Sequence, residues 1–397
     1  MSGSLAIIGT GMAGARLVES LIAEGYSGEI TMFGEERINP YNRIQLSTVL
    51  AGEKTVEGLP LLTEEWYRTH NICLRSGDPV VCFDSHIRSL TTATGRQQFF
   101  DHVVIATGSR PFIPRIPGNN LPGVMAFRTL DDIAIMKSFA EQGAQALVVG
   151  GGLLGLEAAY GLNKLGLDVT VVHNSTALMN RQLDQRAAEM LKESLEGRGI
   201  HIVTNARTAA VTGTAQATGL QLEDGRHLAG ELVVFATGIT PNVELFARSG
   251  LEIGKGIVVD DQMRTSHPGI YALGECAEHN GVTVGIVAPI WDQASVLTST
   301  LLGRPATYRP REYSTQLKVS GIDVFSAGNM NTDEHCRDIV LNDPVAGIYR
   351  RLVIRDNRLQ AALLFGDKSL CSQYENLISS GQPLGTNEQQ IMFGAPA

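Results

Sequence analysis

The strongest constraint on how this chain can fold is a pair of glycine fingerprints about 140 positions apart. The first is Gly9-Thr10-Gly11-Met12-Ala13-Gly14, directly after the apolar run Leu5-Ala6-Ile7-Ile8. The second is Gly150-Gly151-Gly152-Leu153-Leu154-Gly155, after Ala146-Leu147-Val148-Val149. One G-x-G-x-x-G is a weak signal. Two copies, each joining a buried strand to a helical pattern, imply two dinucleotides on one protein. At each, glycines permit a tight turn and close approach of the backbone to a pyrophosphate. The helix N-terminus adds free N–H groups and a favourable dipole.

The surrounding segments read as two βαβ units. Residues 5–9 are expected as a strand, 12–24 as a helix and 29–33 as the second strand; the later unit has strand 146–149, helix 153–165 and strand 168–172. Asn39-Pro40 interrupts the first unit, and a helix restarts over 41–51. The strand 102–106 runs into Thr107-Gly108, and Val233-Val234-Phe235-Ala236-Thr237-Gly238 repeats that strand-Ala-Thr-Gly pattern. Four prolines between Pro111 and Gly123 suit a crossover between domains. Strands at 257–260 and 270–274 lead back to the first domain, so the second unit reads as inserted within the first. Beyond about residue 310 the character changes, with a hairpin over 347–365 turning at Asp356-Asn357 and a polar tail, 383–397, expected to be loosely ordered. The expected architecture is α/β: two Rossmann-like dinucleotide-binding domains with a C-terminal α+β domain. The domains are 1–112 plus 239–310, 113–238, and 311–397.

Composition narrows the function. The net charge of −9 argues against phosphate-backbone binding, so no nucleic-acid partner is expected. No apolar run approaches about 18 residues, and the N-terminal run lacks a basic flank, so neither a membrane span nor a signal peptide is expected, and the chain reads as cytoplasmic. The five cysteines, Cys73, Cys82, Cys276, Cys336 and Cys371, form no C-x-x-C pair, which leaves no expected iron–sulfur or zinc site.

An acidic residue after the second strand of such a unit accepts hydrogen bonds from ribose hydroxyls, and Glu35 fits that role; the bland reading makes Glu35 and Glu36 ordinary loop charges. The second unit ends at His173-Asn174, with no carboxylate. His173 can bond an NAD ribose, or with Arg181 face the 2′-phosphate of NADP, or be a solvated loop histidine; coenzyme preference stays open on these grounds.

Taken together, these turns, Pro40-Tyr41-x-Arg43-x-x-Leu46-Ser47, the two Ala-Thr-Gly stretches, the Glu157 that follows the second fingerprint and Tyr271-Ala272-Leu273-Gly274-Glu275-Cys276-Ala277 resemble the FAD-dependent pyridine nucleotide reductases over residues 1–305. Residues 148–159, 274–277 and 317–324 are similar to two groups in particular: the N-terminal half of NAD(P)H nitrite reductase large subunits and the small electron-transfer subunit of bacterial assimilatory nitrate reductase. Rubredoxin reductases come next. The resemblance implies a three-layer, glutathione-reductase-like fold. It assigns FAD to Gly9, Gly11, Met12, Ala13, Gly14, Glu35, Arg43, Ser47, Thr48, Thr107, Gly108, Arg128, Gly274, Glu275, Val287 and Trp291. NADH, with NADPH as an alternative, falls to Gly150, Gly152, Leu153, Leu154, Gly155, Glu157, His173, Arg181 and Gly238. Two departures stand out. Glu275 replaces the usual aspartate, and Thr48 replaces a lysine that many relatives carry near flavin N5.

Disulfide reductases of this kind need a redox cysteine beside the flavin, and the 41–51 segment has none. The implied chemistry is hydride transfer from nicotinamide to flavin, with no obligatory acid–base side chain, followed by single-electron transfer to an external metalloprotein. In the resembled family the region after 310 leads towards an iron–sulfur module. Here the chain ends first, so the metal centre is expected on a partner: a nitrate reductase catalytic subunit, or alternatively a rubredoxin-like protein. A flavin-dependent redox sensor or scaffold is the reading from another class.

Overall fold

The computed structural model describes residues 3–311, 313–319, 321–385 and 388–394, with the side chains of 316–319, 388 and 389 left aside. Ser320, within one of the stretches that carry the resemblance, lies outside the described residues, as do 386, 387 and 395–397 of the tail. The chain divides into two compact units. One comprises Met1–Leu46, Lys54–Phe112 and Gly238–Arg311; the other comprises Ser47–Glu53, Ile113–Thr237 and Glu312–Ala397.

In the first unit the strand Leu5–Ile8 is central to a five-stranded parallel sheet. Ile30–Gly34 and then Cys73–Ser76 lie on one side, and His102–Ile105 and then Ile270–Ala272 on the other. All four residues of Leu5–Ile8 are buried, as a continuous apolar run requires of a strand covered on both faces. Helix Met12–Ala23 contributes Leu17, Val18 and Leu21 to the core, and helix Val287–Leu301 contributes Ala294, Leu297 and Leu301. A small antiparallel sheet (Val80–Asp84, Ser89–Thr92, Gln97–Phe99) adds Phe83 and Leu90.

The second unit repeats this sheet in the same spatial order. Gln145–Val149 is central, Asp168–Val172 and Ile200–Val203 follow on one side, and Leu232–Phe235 and Val124–Ala126 on the other. Only the outer strand differs in origin: Val124–Ala126 precedes its fingerprint, whereas Ile270–Ala272 lies far beyond its own. A three-stranded antiparallel sheet (Thr208–Gly213, Ala217–Leu222, His227–Ala229) packs Val211 and Leu220 with Leu147, Val149 and Phe235.

Residues 312–397 group with this unit but carry a sheet and core of their own. Five antiparallel strands run in the order Thr315–Val319, Ile322–Gly328, Arg358–Phe365, Ile348–Arg355, Cys336–Asp343. Phe325, Leu352 and Leu364 pack with Tyr374 and Leu377 of helix Cys371–Ser380. Residues 388–394 of the tail depart from the expectation of loose order. Glu388–Phe393 forms a 3-10 helix whose Ile391 and Met392 are buried in that core. Tyr374 donates its hydroxyl to the Ile391 carbonyl (2.8 Å), and Arg350 donates to that of Met392 (2.7 Å). Two apolar side chains within a polar stretch suffice to anchor it.

Asp184 ties this sheet to the parallel-sheet part of the unit. Its carboxylate caps helix Gln185–Glu196 by accepting from the Ala187 N–H (3.0 Å). It also accepts from the Tyr349 hydroxyl (2.7 Å) and pairs with Arg351 (3.6 Å). Burial and this carboxylate push the Tyr349 phenol well above its ordinary pKa. Among the described residues no helix is long and apolar enough to cross a membrane.

The hairpin expected at Asp356-Asn357 turns there, between Ile348–Arg355 and Arg358–Phe365, with φ of +47° and +58° at the two residues. Both are left-handed, as a two-residue turn matched to strand twist requires. Asp356→Val is expected to lower stability by about 1–2 kcal/mol, since a β-branched residue resists that conformation, while Asp356→Gly leaves stability unchanged or raised. Thermal unfolding followed by circular dichroism checks the pair.

Candidate functional site: two nucleotide cradles

In the first unit Gly9 follows the central strand with φ +126°, and a Cβ there would overlap the Ala106 carbonyl oxygen. A Cβ on Gly14 would overlap the Gly9 carbonyl. These two positions are closed by backbone. Gly11 is different. It has no atom within 4 Å of an added Cβ, ordinary φ, and it caps helix Met12–Ala23 without any side-chain hydrogen bond. Open space in front of uncapped helix N–H groups is what a pyrophosphate needs. The sheet order places this turn where the chain switches from one side of the central strand to the other, the usual ligand site of open α/β sheets.

Residues distant in sequence brace the turn. Thr107 donates its hydroxyl to the Asn242 carbonyl (2.8 Å), and Asn242 returns bonds from its amide nitrogen and backbone N–H to the carbonyls of Thr107 (3.0 Å) and Gly108 (3.0 Å). The Gly274 N–H donates to the buried Gln293 side chain (2.8 Å), and a Cβ on Gly274 would meet Ala13. Glu275 accepts from the Ser109 hydroxyl (2.7 Å). Asn242, Gln293 and Ser109 carry no local motif, so sequence reading missed them.

Glu35 lies just past the second strand and is exposed. Its neighbour Glu36 is instead engaged by the Tyr41 hydroxyl (2.8 Å) and by Arg43, whose guanidinium also lies over the Tyr41 ring (5.2 Å). Met12 and Ala13 open the first helix; Val287 and Trp291 lie in the first two turns of Val287–Leu301, with the Arg16 guanidinium 5.8 Å from the Trp291 ring centre. Cys276 is fully buried against the carbonyls of Ile105 and Leu273, and burial pushes its thiol pKa up.

The second unit has a cradle of the same build. Gly150 (φ +126°) abuts the Ala236 carbonyl as Gly9 abuts that of Ala106, and Gly155 abuts Gly150 as Gly14 abuts Gly9. Gly152 matches Gly11, with open space and no side-chain cap, at the start of helix Leu153–Lys164. Leu154 is exposed in that helix's first turn. Glu157, one turn on, is half-buried, and the Ser47 hydroxyl bonds to it. Burial raises its pKa to about 7, so the carboxyl holds a proton to near neutrality. Ser47 and Thr48 belong to the short helix Leu46–Leu50, and a Cβ on Gly161 would overlap Leu50, so this segment packs closely on helix Leu153–Lys164.

His173 is half-buried rather than solvated. Its Nδ1 accepts from the Gly151 N–H (3.1 Å), which leaves Nε2 to donate to the Ala177 carbonyl (3.2 Å). Burial lowers its pKa. Arg181 is exposed on the following loop. Arg128 lies in the second unit, its backbone N–H bonded to Asp132 (2.7 Å) ahead of helix Leu130–Glu141. Gly238, expected with the second domain, groups with the first unit, where its carbonyl accepts from the Phe112 N–H (2.9 Å).

Comparison with known proteins agrees with this geometry. Residues 3–296 match the model of the pyridine nucleotide-disulphide oxidoreductases, and residues 314–382 match that of the rubredoxin NAD+ reductase C-terminal domain. The chain is 41% identical over 365 residues to the assimilatory nitrate reductase electron transfer subunit of Bacillus subtilis (strain 168), covering 91% of this chain and 47% of that protein. It is 43% identical over 367 residues to the NAD(P)H nitrite reductase of the same organism, covering 92% and 46%. The chain therefore spans about half the length of the curated relatives it matches, and the Bacillus electron transfer subunit is not the small protein expected of that group. The crystal structure of the ferredoxin reductase for the CYP199A2 system from Rhodopseudomonas palustris has a TM-score of 0.89 at 26% identity, covering 99% of this chain and 100% of that one. The chain belongs to the pyridine nucleotide-disulphide oxidoreductase family.

Proposed function

We propose that this chain is the flavin module of an NADH-oxidising electron-transfer protein, with FAD at the Gly9–Gly14 turn, the nicotinamide coenzyme at the Gly150–Gly155 turn, and a nitrate reductase as acceptor. The observation that carries the reading is the pair of similarly built cradles, each with one glycine in open space and two closed by backbone. With both cofactors bound, the chemistry they supply is hydride transfer from nicotinamide C4 to flavin N5. The protein's part is to bind and orient. Glu35 takes the adenosine ribose of FAD, Glu275 and Arg43 its polar middle, and Val287 and Trp291 the ring side. The Thr107-Gly108 turn lines the rest of FAD. Leu154 and a neutral Glu157 flank the nicotinamide.

No thiol stands in Leu46–Leu50, and Cys276 is buried and held protonated. Both facts support the flavin, rather than a disulfide, as the point from which electrons leave. The name of the Bacillus relative favours nitrate reductase as acceptor. The match of residues 314–382 to a rubredoxin reductase domain favours a rubredoxin-type acceptor as the second reading. Five free cysteines suit a reducing, cytoplasmic setting.

Anaerobic titration of the yellow protein with NADH is expected to bleach the flavin; failure with both NADH and NADPH overturns the reductase reading and leaves a sensor or scaffold. The reduced protein mixed with purified nitrate reductase and, separately, with rubredoxin distinguishes the two acceptors by which one reoxidises the flavin.

Two carboxylate substitutions separate the cradles. Gly11→Asp and Gly152→Asp each supply a helix cap, so folding survives, while the new charge faces a pyrophosphate. Gly11→Asp is expected to cut bound FAD, and Gly152→Asp to raise the NADH KM with FAD retained, each by at least about tenfold. Flavin absorbance and steady-state kinetics read the two effects.

Glu157→Gln tests the half-buried carboxyl through stability. Its folded-state pKa of about 7 exceeds the ordinary 4.5, so the favourable contribution is fully present below pH 4.5 and lost between there and 7. Relative to wild type, the variant is expected to gain on the order of 3 kcal/mol between pH 4.5 and 8. Denaturant unfolding of the holoprotein across that range checks the sign.

A further inference from the structure

The two cradles differ in one reciprocal detail. In each, the N–H of the first turn glycine bonds to the last residue of the second strand's apolar run: Gly9 to Phe33 (2.8 Å) and Gly150 to Val172 (2.9 Å). By that register Thr10 corresponds to Gly151, Gly34 to His173, and Glu35 to Asn174. In the first cradle the turn residue carries the side chain, and Thr10 fills the space where Gly34 lacks one. In the second the exchange is reversed: Gly151 is bare, and the His173 ring fills its place so closely that a Cβ on Gly151 would overlap it. The register assigns the ribose-facing position to the exposed Asn174 and turns His173 inward.

The His173 ring also does what Thr10 does not. Its Nδ1 takes the Gly151 N–H, while the Gly151 carbonyl accepts from the Met179 N–H (2.9 Å). Both polar groups of Gly151, one residue before the open Gly152, are therefore held by the segment 173–179. A protonated imidazole has a hydrogen on Nδ1 and meets the Gly151 N–H donor to donor.

We infer that His173 is a positioning residue for the nicotinamide coenzyme: its neutral ring fixes the phosphate-binding turn through Gly151, and protonating the ring weakens coenzyme binding without slowing flavin reduction. The inference rests on the second turn holding NAD(P)H. The groups bonded to the ring are the Gly151 N–H and the Ala177 carbonyl, both uncharged, and its Cγ and Cδ2 lie beside Gly151. Of the charged residues on the neighbouring elements, His201 pairs with Asp168 and Asp184 with Tyr349 and Arg351. Glu157, Arg181 and Arg207 make no ion pair with His173 among the described residues. Burial makes the neutral form the resting one and sets the transition below the ordinary histidine range.

The test is anaerobic stopped-flow reduction of the FAD-loaded protein by NADH from pH 5 to 8, giving the NADH Kd and the limiting rate. Wild-type Kd is expected to be flat above pH 7 and to rise roughly fivefold or more at the acid end, with the His173-dependent part absent from the limiting rate. His173→Asn offers an oxygen to the Gly151 N–H and does not titrate, so its Kd stays low and flat. His173→Ala raises Kd at every pH; should it fail to fold, His173→Gln stands with His173→Asn. An acid-end rise in His173→Asn equal to that of wild type, or a wild-type Kd flat to pH 5, overturns the inference. Gly152→Asp run in parallel separates the causes: if it leaves the NADH Kd unchanged, the reading of the second turn falls and this inference with it.

Discussion

A backbone contact that admits no Cβ governs both glycine turns. Gly9 lies against the carbonyl of Ala106, and Gly150 against that of Ala236, each with φ +126°. The contact forces the central strand and the strand beside it to end together, and it aims the next helix with its N-terminus at empty space. Gly14 and Gly155 then let the helix sit against the turn itself. Three glycines per cradle thus have two jobs: two close a gap, and one leaves a gap open.

The same constraint explains why Ala-Thr-Gly recurs. Each Ala supplies the carbonyl that its cradle glycine meets. In the first unit the Thr107 hydroxyl and the Gly108 carbonyl are then bound by Asn242, which holds the turn from 135 positions away in sequence. The repeat is a repeat of contacts, and sheet order follows it even though the outer strands come from opposite directions along the chain.

The cradles were legible because their determinants are local: strand, glycines and helix lie within about fifteen residues, and the period of each element is written in its side chains. The Asp356-Asn357 turn was legible for the same reason. The braces were not. Gln293, Asn242 and Ser109 act across long loops, and no spacing announces them. His173 was misleading for a related reason. Its place at the end of the second strand suggested that it faces the ribose, whereas strand register turns it inward and hands the exposed position to Asn174. The tail was misjudged because its polar average hid Ile391 and Met392.

By itself, then, the order of residues determined that two glycine turns of one build exist, that their glycines are irreplaceable in kind, and that no C-x-x-C pair accompanies them. These are properties of short segments, where sterics act between neighbours. Only the tertiary structure decided which glycine stays open, which glutamate is spent on Arg43, that Glu157 keeps its proton to near neutrality, and that His173 clamps Gly151. Each of those depends on burial and on partners brought close by folding, and neither is encoded at the position that shows the effect.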